Sequence, residues 1–343
     1  MATRAVDLVR AWEPPVAADR LRRHVEVLAA GPRSRRHAPR AMADAETYVT
    51  AALRSAGWQV RRQPFDVRWR VGATDRPGNR AIALKARVHP RLRGANLIAT
   101  LPGAGTGPAV VLGAHLDTVQ GSPGADDNAS GVAVLLESAH LLATLPDAPP
   151  VVLAVFDMEE LGLIGSRHAV RALGRERSIR GMVCLESVGF FSEEEGSQRL
   201  PGGFSAVFPA AASATRDAGL RGNFTLVVHR RSSAEAAVAW QRAAAQTAPA
   251  LPGILLRDPR PDGLLGALAG LAVPPANHLG RSDHAPFWNA GIPALMLTGT
   301  ANFRNPAYHR PADTSDLLDY PRLAAVTAAT AATVAAWAAL PEA

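Results

Sequence analysis

Histidine and acidic side chains fall at points where an α/β protein would gather them. His115 and Asp117 close one apolar run, Glu159 and Glu160 follow a second, and Glu186 ends a third. Asp126, Asp127 and His309 stand in loop-like stretches that could reach the same edge. In open α/β sheets that carboxyl edge is where ligands bind. So many carboxylates brought together repel, and burying each one unpaired costs several kcal/mol even after relaxation. The set calls for a cation, and one divalent ion barely balances it. Mixed imidazole and carboxylate ligands favour Zn²⁺, with Mn²⁺ or Co²⁺ served by the same set. Taken singly, each residue has a plainer role. Glu159 and Glu160 could be acids stabilised by a helix dipole, His115 a core histidine, and Asp127 and Asn128 helix caps.

The elements that must position these side chains are read from periodicity. Residues 39–56 place Met42, Ala45, Val49, Ala52, Leu53 and Ala56 at helical spacing ahead of Gly57. Trp58, Val60, Phe65, Val67 and Trp69 alternate as in a half-buried strand, and 76–80 is rich in turn residues. Strands are predicted at 95–101 and 108–113, the second a continuous apolar run of the kind covered on both faces. A helix over 129–145, a strand at 150–156, a helix over 161–173 and a strand at 181–186 follow, with a later strand at 292–297. Strands alternating with helices predict the α/β class. The expectation is a single three-layer domain over residues 1–343, with a central mixed, largely parallel sheet covered by helices. Residues 189–281 are less regular and are expected to form an elaboration within it.

Four blocks then carry a resemblance: Gly113-Ala-His115-Leu-Asp117, Gly124-Ala-Asp126-Asp127-Asn-Ala-Ser-Gly131, Glu159-Glu160-Leu-Gly-Leu-Ile-Gly-Ser166 and Tyr308-His309-Arg-Pro-Ala-Asp313. In order and spacing, over roughly residues 20–340, they resemble the co-catalytic zinc aminopeptidase family, which also contains glutamate carboxypeptidases and glutaminyl cyclases. The resemblance implies a zinc exopeptidase-like fold in which Asp126 bridges two zinc ions. It implies that His115 and Glu186 complete one site, that Glu160 and His309 complete the other, and that Glu159 is the general base. It implies a cis peptide between Asp126 and Asp127. Many relatives carry aspartate where Glu186 stands, a departure that touches pocket geometry more than metal binding. Tyr308 is expected to donate to the oxyanion, as its relatives do. Arg281, in Gly280-Arg-Ser-Asp-His-Ala-Pro-Phe287, matches a family block near the substrate and is a candidate binder.

Elementary chemistry agrees with that picture. Two divalent ions about 3.5 to 4 Å apart share a water and lower its pKa from ~15.7 toward ~7. A carboxylate beside that water, here Glu159, moves the proton to the leaving amine, a role worth about 10² to 10⁴ in rate. Asp117, two residues after His115, is expected to accept from the imidazole and fix its tautomer, and Asp313 is placed in the same surroundings. The expected reaction is hydrolysis of an amide next to a free amino terminus, with a peptide or aminoacyl amide as substrate. Carboxypeptidase action, glutaminyl cyclisation and a non-catalytic scaffold are the competing readings. Relatives that cyclise work with one zinc, so five ligand positions speak against cyclisation.

Composition bounds the rest. With 48% hydrophobic and 20% charged residues the chain can fill a core and is not of the disordered class. The net charge of +7 is unevenly spread: residues 1–100 hold 19 Arg and Lys85 against 8 acids, and residues 101–343 hold 17 Arg against 22 acids. Arg20, Arg22 and Arg23 form one basic cluster and Arg33, Arg35, Arg36 and Arg40 another. Both are short, and no nucleic-acid partner is expected. The lone Cys184 permits no internal disulfide and reads as core filling, and no signal-like apolar run stands near Met1, so a cytoplasmic location is expected. Residues 323–340 lack charge, but Leu323, Val326, Val334, Trp337 and Leu340 share one helix face, which predicts a packed helix and no membrane span.

Overall fold

The apolar runs pair edge to edge in a computed structural model that describes residues 1–12, 16–76, 87–272 and 278–341. Among the described residues the strands are β1 (Gln59–Gly72), β2 (Arg87–Thr100), β3 (Ala109–His115), β4 (Val151–Phe156), β5 (Ile179–Glu186), β6 (Thr225–His229), β7 (Gly253–Arg257) and β8 (Ala294–Thr298). They form one sheet in the order β1-β2-β4-β3-β5-β8-β6-β7. Its centre, β4-β3-β5-β8, is parallel, while β1–β2, β2–β4 and β8–β6 pair antiparallel. The mixed, largely parallel sheet expected from the sequence is therefore present.

Alternation along the central strands feeds two cores. Val110, Leu112 and Ala114 of β3 point into one, with α1 (Ala2–Ala11), α2 (Ala18–Leu28), α3 (Pro39–Ser55) and α4 (Gly131–Ala143). Ala109 and Val111 point into the other, with α5 (Ile164–Glu176). Both faces are covered, which is why β3 and β4 are buried throughout and read as unbroken apolar runs.

The segment 189–281 contributes more order than its sequence suggests. It carries α6 (Phe204–Val207), α7 (Pro209–Asp217), β6, α8 (Ala234–Ala244), β7 and α9 (Leu264–Ala272). The strands β6 and β7 extend the sheet beyond β8, and Trp240 of α8 is buried in the first core with its indole N–H donating to Thr330. Each of these two strands holds only three consecutive apolar residues, Leu226–Val228 and Ile254–Leu256, too short a run to stand out. α10 (His284–Asn289) packs in the second core, and α11 (Tyr320–Ala338) in the first against α1, α4 and α8. Trp337 lies so close to Gly181 that any Cβ there would overlap its ring, a close approach that requires glycine. Among the described residues no helix is long and apolar enough to cross a membrane. The turn expected at 76–80 lies, beyond Arg76, outside the described residues.

Candidate metal centre

The parallel register of β4, β3 and β5 puts their carboxyl ends side by side, with His115 opposite Phe156. His115 and Glu186 are the last residues of β3 and β5, and Glu159 and Glu160 lie just past β4. Asp127 sits in a wide turn, Ala125–Ser130, ahead of α4, and His309 in the loop after β8. These loops converge. His115 Nε2 is 3.2 Å from Asp127 Oδ1 and 3.5 Å from a Glu186 oxygen. His309 Nε2 is 3.0 Å from Asp127 Oδ2 and 3.2 Å from a Glu160 oxygen. Two triads result, His115–Asp127–Glu186 and Asp127–Glu160–His309, each with its ligand atoms within 4.8 Å of one another. Asp127 belongs to both, presenting one oxygen to each.

This corrects the assignment of Asp126 as the shared ligand. Asp126 is in neither triad, and its carboxylate is bonded elsewhere: Oδ1 accepts from the backbone N–H of Gly189 (2.8 Å) and Phe190 (3.1 Å), and Oδ2 from Asn305 (3.0 Å). The cis peptide is likewise one position later than expected, at Asp127–Asn128. Neither Asp127 nor Asn128 caps α4: the residue that precedes the helix is Ser130, and no side chain caps its N-terminus. Asn128 instead joins the turn to β5, donating to the Leu185 carbonyl (2.8 Å) and accepting from Ser187 N–H (3.2 Å).

The surrounding bonds fix each group's direction. His115 Nδ1 is 3.0 Å from the backbone carbonyl of Asp117, which holds the proton there and leaves Nε2 as the free donor atom. The expected partner was the Asp117 carboxylate, which stands 3.8 Å away and does something else: it accepts from Glu159 N–H (3.0 Å) and Glu160 N–H (3.2 Å). Asp313 accepts in the same way from Asp126 N–H (3.0 Å) and Asp127 N–H (3.2 Å). Ser282 donates to Glu186 at 2.7 Å. Left-handed backbone at Met158 (φ 59), Ser187 (φ 48) and His309 (φ 60) places strain beside or at the clustered residues, as functional loops often do.

The electrostatics show what the cluster lacks. Burial opposes charge on His309, yet Glu160 and Asp127 raise its pKa to about 10, and the carboxylates around His115 raise that imidazole well above its ordinary value against the same burial. Asp127 is held well below the usual carboxylate range by the two imidazoles, although burial would raise it. Burial, with Glu186 and Glu160 near, pushes Glu159 far up. The cluster thus draws positive charge toward its two histidines. His115 Nε2, Asp127 Oδ1, Glu160 Oε1 and His309 Nε2 are buried without an aligned hydrogen bond among the described residues. Orphaned imidazole nitrogens facing orphaned carboxylate oxygens are a donor set for two divalent cations, and the residues present fit zinc.

Glu159 belongs to neither triad, although it is buried beside both. Tyr308 stacks on His309 with ring centroids 3.9 Å apart. Tyr308, Glu186 and Arg281 line a cleft that encloses about 1000 Å³ of empty space, open solvent at its mouth included. Arg281 is anchored to Asn302 at 3.1 Å. The cavity's floor is apolar, with Phe204, Phe208, Leu226, Val228, Leu256 and Met296, and Glu186 is its only acid among the described residues. Outside the centre, His168 lies against Phe65, His284 bonds the Leu279 carbonyl, and Cys184 is a buried free thiol beside Ser282. Asn305 and Ser282 escaped the reading of the sequence, because a lone amide or hydroxyl in a loop carries no spacing signal, and Asn128 was read only as a helix cap.

Comparison with known proteins agrees with this geometry. Residues 96–229 and 266–334, more than half of the chain, match peptidase family M28. The uncharacterized protein YfbL of Escherichia coli (strain K12) is 35% identical over 235 residues, covering 65% of this chain and 65% of its own length. Aminopeptidase YwaD of Bacillus subtilis (strain 168) is 43% identical over 82 residues, 23% of this chain and 18% of its own. The chain thus spans less than two thirds of the length of these relatives. Among solved structures, BSAP, a zinc aminopeptidase from Bacillus subtilis, superposes with a TM-score of 0.64 at 19% identity, covering 94% of this chain and 95% of that one, a likeness of fold. The matched segments contain His115, Asp127, Glu160, Glu186 and His309, the residues the fold brings together, and the chain belongs to peptidase family M28.

Proposed function

We propose that the protein is a two-zinc exopeptidase that hydrolyses the amide next to a free amino terminus. The observation that carries this reading is Asp127, which turns one oxygen to the His115–Glu186 pair and the other to the Glu160–His309 pair. Two zinc ions held there would supply Lewis-acid activation of water and of the scissile carbonyl. The protein's own groups do the rest. Glu159, buried and free of both triads, takes a proton and returns it to the departing amine. Tyr308, held by its stack on His309, donates toward the oxygen that gains charge. Arg281 orients the substrate at the mouth of the cavity, and the apolar floor receives the side chain of the residue whose carbonyl is attacked. That cavity favours large apolar residues. A cytoplasmic setting is part of the reading, supported by the single buried cysteine.

A panel of aminoacyl amides with free, blocked-amino and blocked-carboxyl ends, assayed with and without chelator, tests it. Cleavage confined to free-amine substrates and lost with chelator is the expected result. Cleavage that needs a free carboxylate instead would move the protein to carboxypeptidase action, and activity indifferent to chelator would overturn the metal reading.

A further inference from the structure

The basic cluster near residue 33 gains a role from where it lies. Arg33 is 1% exposed, and its guanidinium donates to four backbone carbonyls: Leu116 (2.8 Å), Leu28 (2.5 Å), Pro123 (2.7 Å) and Gly124 (3.0 Å). Its own backbone exchanges bonds with Thr118 in both directions. Leu116 follows His115 directly, and Gly124 lies three residues before Asp127. Gly124 has φ 63, and any Cβ there would strike the Asp127 carbonyl, so this turn is held at close quarters. Two residues on, Arg35 pairs with Asp157 and Glu46 and reaches the Ala95 carbonyl. Asp157 is buried, and it accepts from Ala95 N–H (3.0 Å) while lying two residues before Glu159.

Resting on the two-metal reading, we infer that Arg33 and Arg35 form a clasp that sets the spacing of the metal centre: Arg33 fixes the loop carrying His115 and Asp127, and Arg35 the loop carrying Glu159 and Glu160. Both are positioning residues. A guanidinium suits this task because its planar fork spans several carbonyls at fixed angles, which an ammonium does not. Arg33 also places a buried positive charge behind the carboxylates of Asp313, Asp117 and Asp127. The clasp gives part of the basic excess of the first hundred residues a structural purpose in a molecule whose acids cluster elsewhere.

The test is Co²⁺ titrated into the metal-stripped full chain, followed by calorimetry and by visible absorption, for wild type, Arg33→Met, Arg33→Lys, Arg35→Met and Arg35→Lys. Loss of an outer partner of a ligand ordinarily costs about 10- to 100-fold in metal affinity. Arg35→Met should weaken one of the two ions by that amount and leave the other near wild type, because only the Glu160 side is released. Arg33→Met should weaken both, since Asp127 serves both, and Arg33→Lys, with charge but no fork, should not restore the wild-type spectrum. Should Arg33→Met fail to fold, Arg33→Lys and the Arg35 variants carry the same comparison. Variants that bind both ions with wild-type affinity and absorption, even at a lower unfolding temperature, would overturn the clasp. Fewer than two ions in wild type would overturn the two-metal reading, and the clasp with it.

Discussion

Asp117 and Asp313 hold opposite sides of the metal centre by one device: each carboxylate accepts the N–H groups of two consecutive residues, Glu159 and Glu160 in one case and Asp126 and Asp127 in the other. With both oxygens engaged, neither competes for a cation. Each turns a pair of backbone amides into a rigid mount for the side chains above. Asp313→Ala leaves two buried amides without acceptors, at about 1 to 3 kcal/mol each. Metal affinity should fall about 10- to 100-fold, and Asp313→Asn, which keeps one acceptor, should fall less. A calorimetric zinc titration reads both, and unchanged affinity in Asp313→Ala would refute the mounting role.

The neighbouring aspartates separate cleanly. Asp127→Ala removes the carboxylate shared by both triads and should abolish tight binding of both ions, whereas Asp126→Asn should keep them, because Asp126 bonds only to backbone amides, Ser130 and Asn305. Metal content after gel filtration, measured by elemental analysis, distinguishes the two. Loss of metal in Asp126→Asn with retention in Asp127→Ala would reverse the assignment.

Glu159→Gln keeps the size of the side chain and removes the base. Since Glu159 lies outside both triads, two ions should remain bound while turnover falls by about 10² to 10⁴ or more. Loss of a zinc ion together with activity would instead make Glu159 a ligand.

His284 offers a pH test away from the centre. Its ring is buried, and burial lowers its pKa to about 4, against about 6.5 in an unfolded chain. The unfolded state therefore takes up the proton first. Stability is intact above about pH 6.5, declines as pH falls below that value, and its loss is complete below about 4, for a total of about 3 kcal/mol. His284→Phe keeps a ring against Trp288 and removes the titration. Unfolding midpoints between pH 7 and 4 should fall more steeply in wild type than in the variant, and parallel curves would contradict the burial argument.

The unbroken apolar runs of β3 and β4 and the four motif blocks made the sheet and most of the centre legible, because both follow from the order of residues along one strand or turn. Asp126 and Asp127 mark where this stopped. Adjacent carboxylates in an irregular turn project in different directions, and the choice between them depends on groups far along the chain: Gly189 and Phe190 bond Asp126, while His115 and His309 gather at Asp127. Arg33 and Arg35 were visible as a basic cluster, but their partners are backbone carbonyls and an aspartate in loops far along the chain. The strands β6 and β7 went unread because each offers only three consecutive apolar residues, Leu226–Val228 and Ile254–Leu256.

The cavity supplies the last test, on selectivity. Val228 is buried in β6 and lines the apolar floor beside Met296 and Leu256. Val228→Phe would extend a ring into space that a large substrate side chain needs, while a small side chain would still fit. A pocket contact of this kind discriminates by about 1 to 3 kcal/mol, or 10- to 200-fold. KM for leucine and phenylalanine amides should rise within that range, and kcat/KM for alanine amide should change little, because Glu159, His115, Asp127, Glu160 and His309 are not among the residues lining that floor. A fall common to all three substrates would mean that the substitution disturbs β8 and Glu186 beyond it, and that the cavity does not read the side chain.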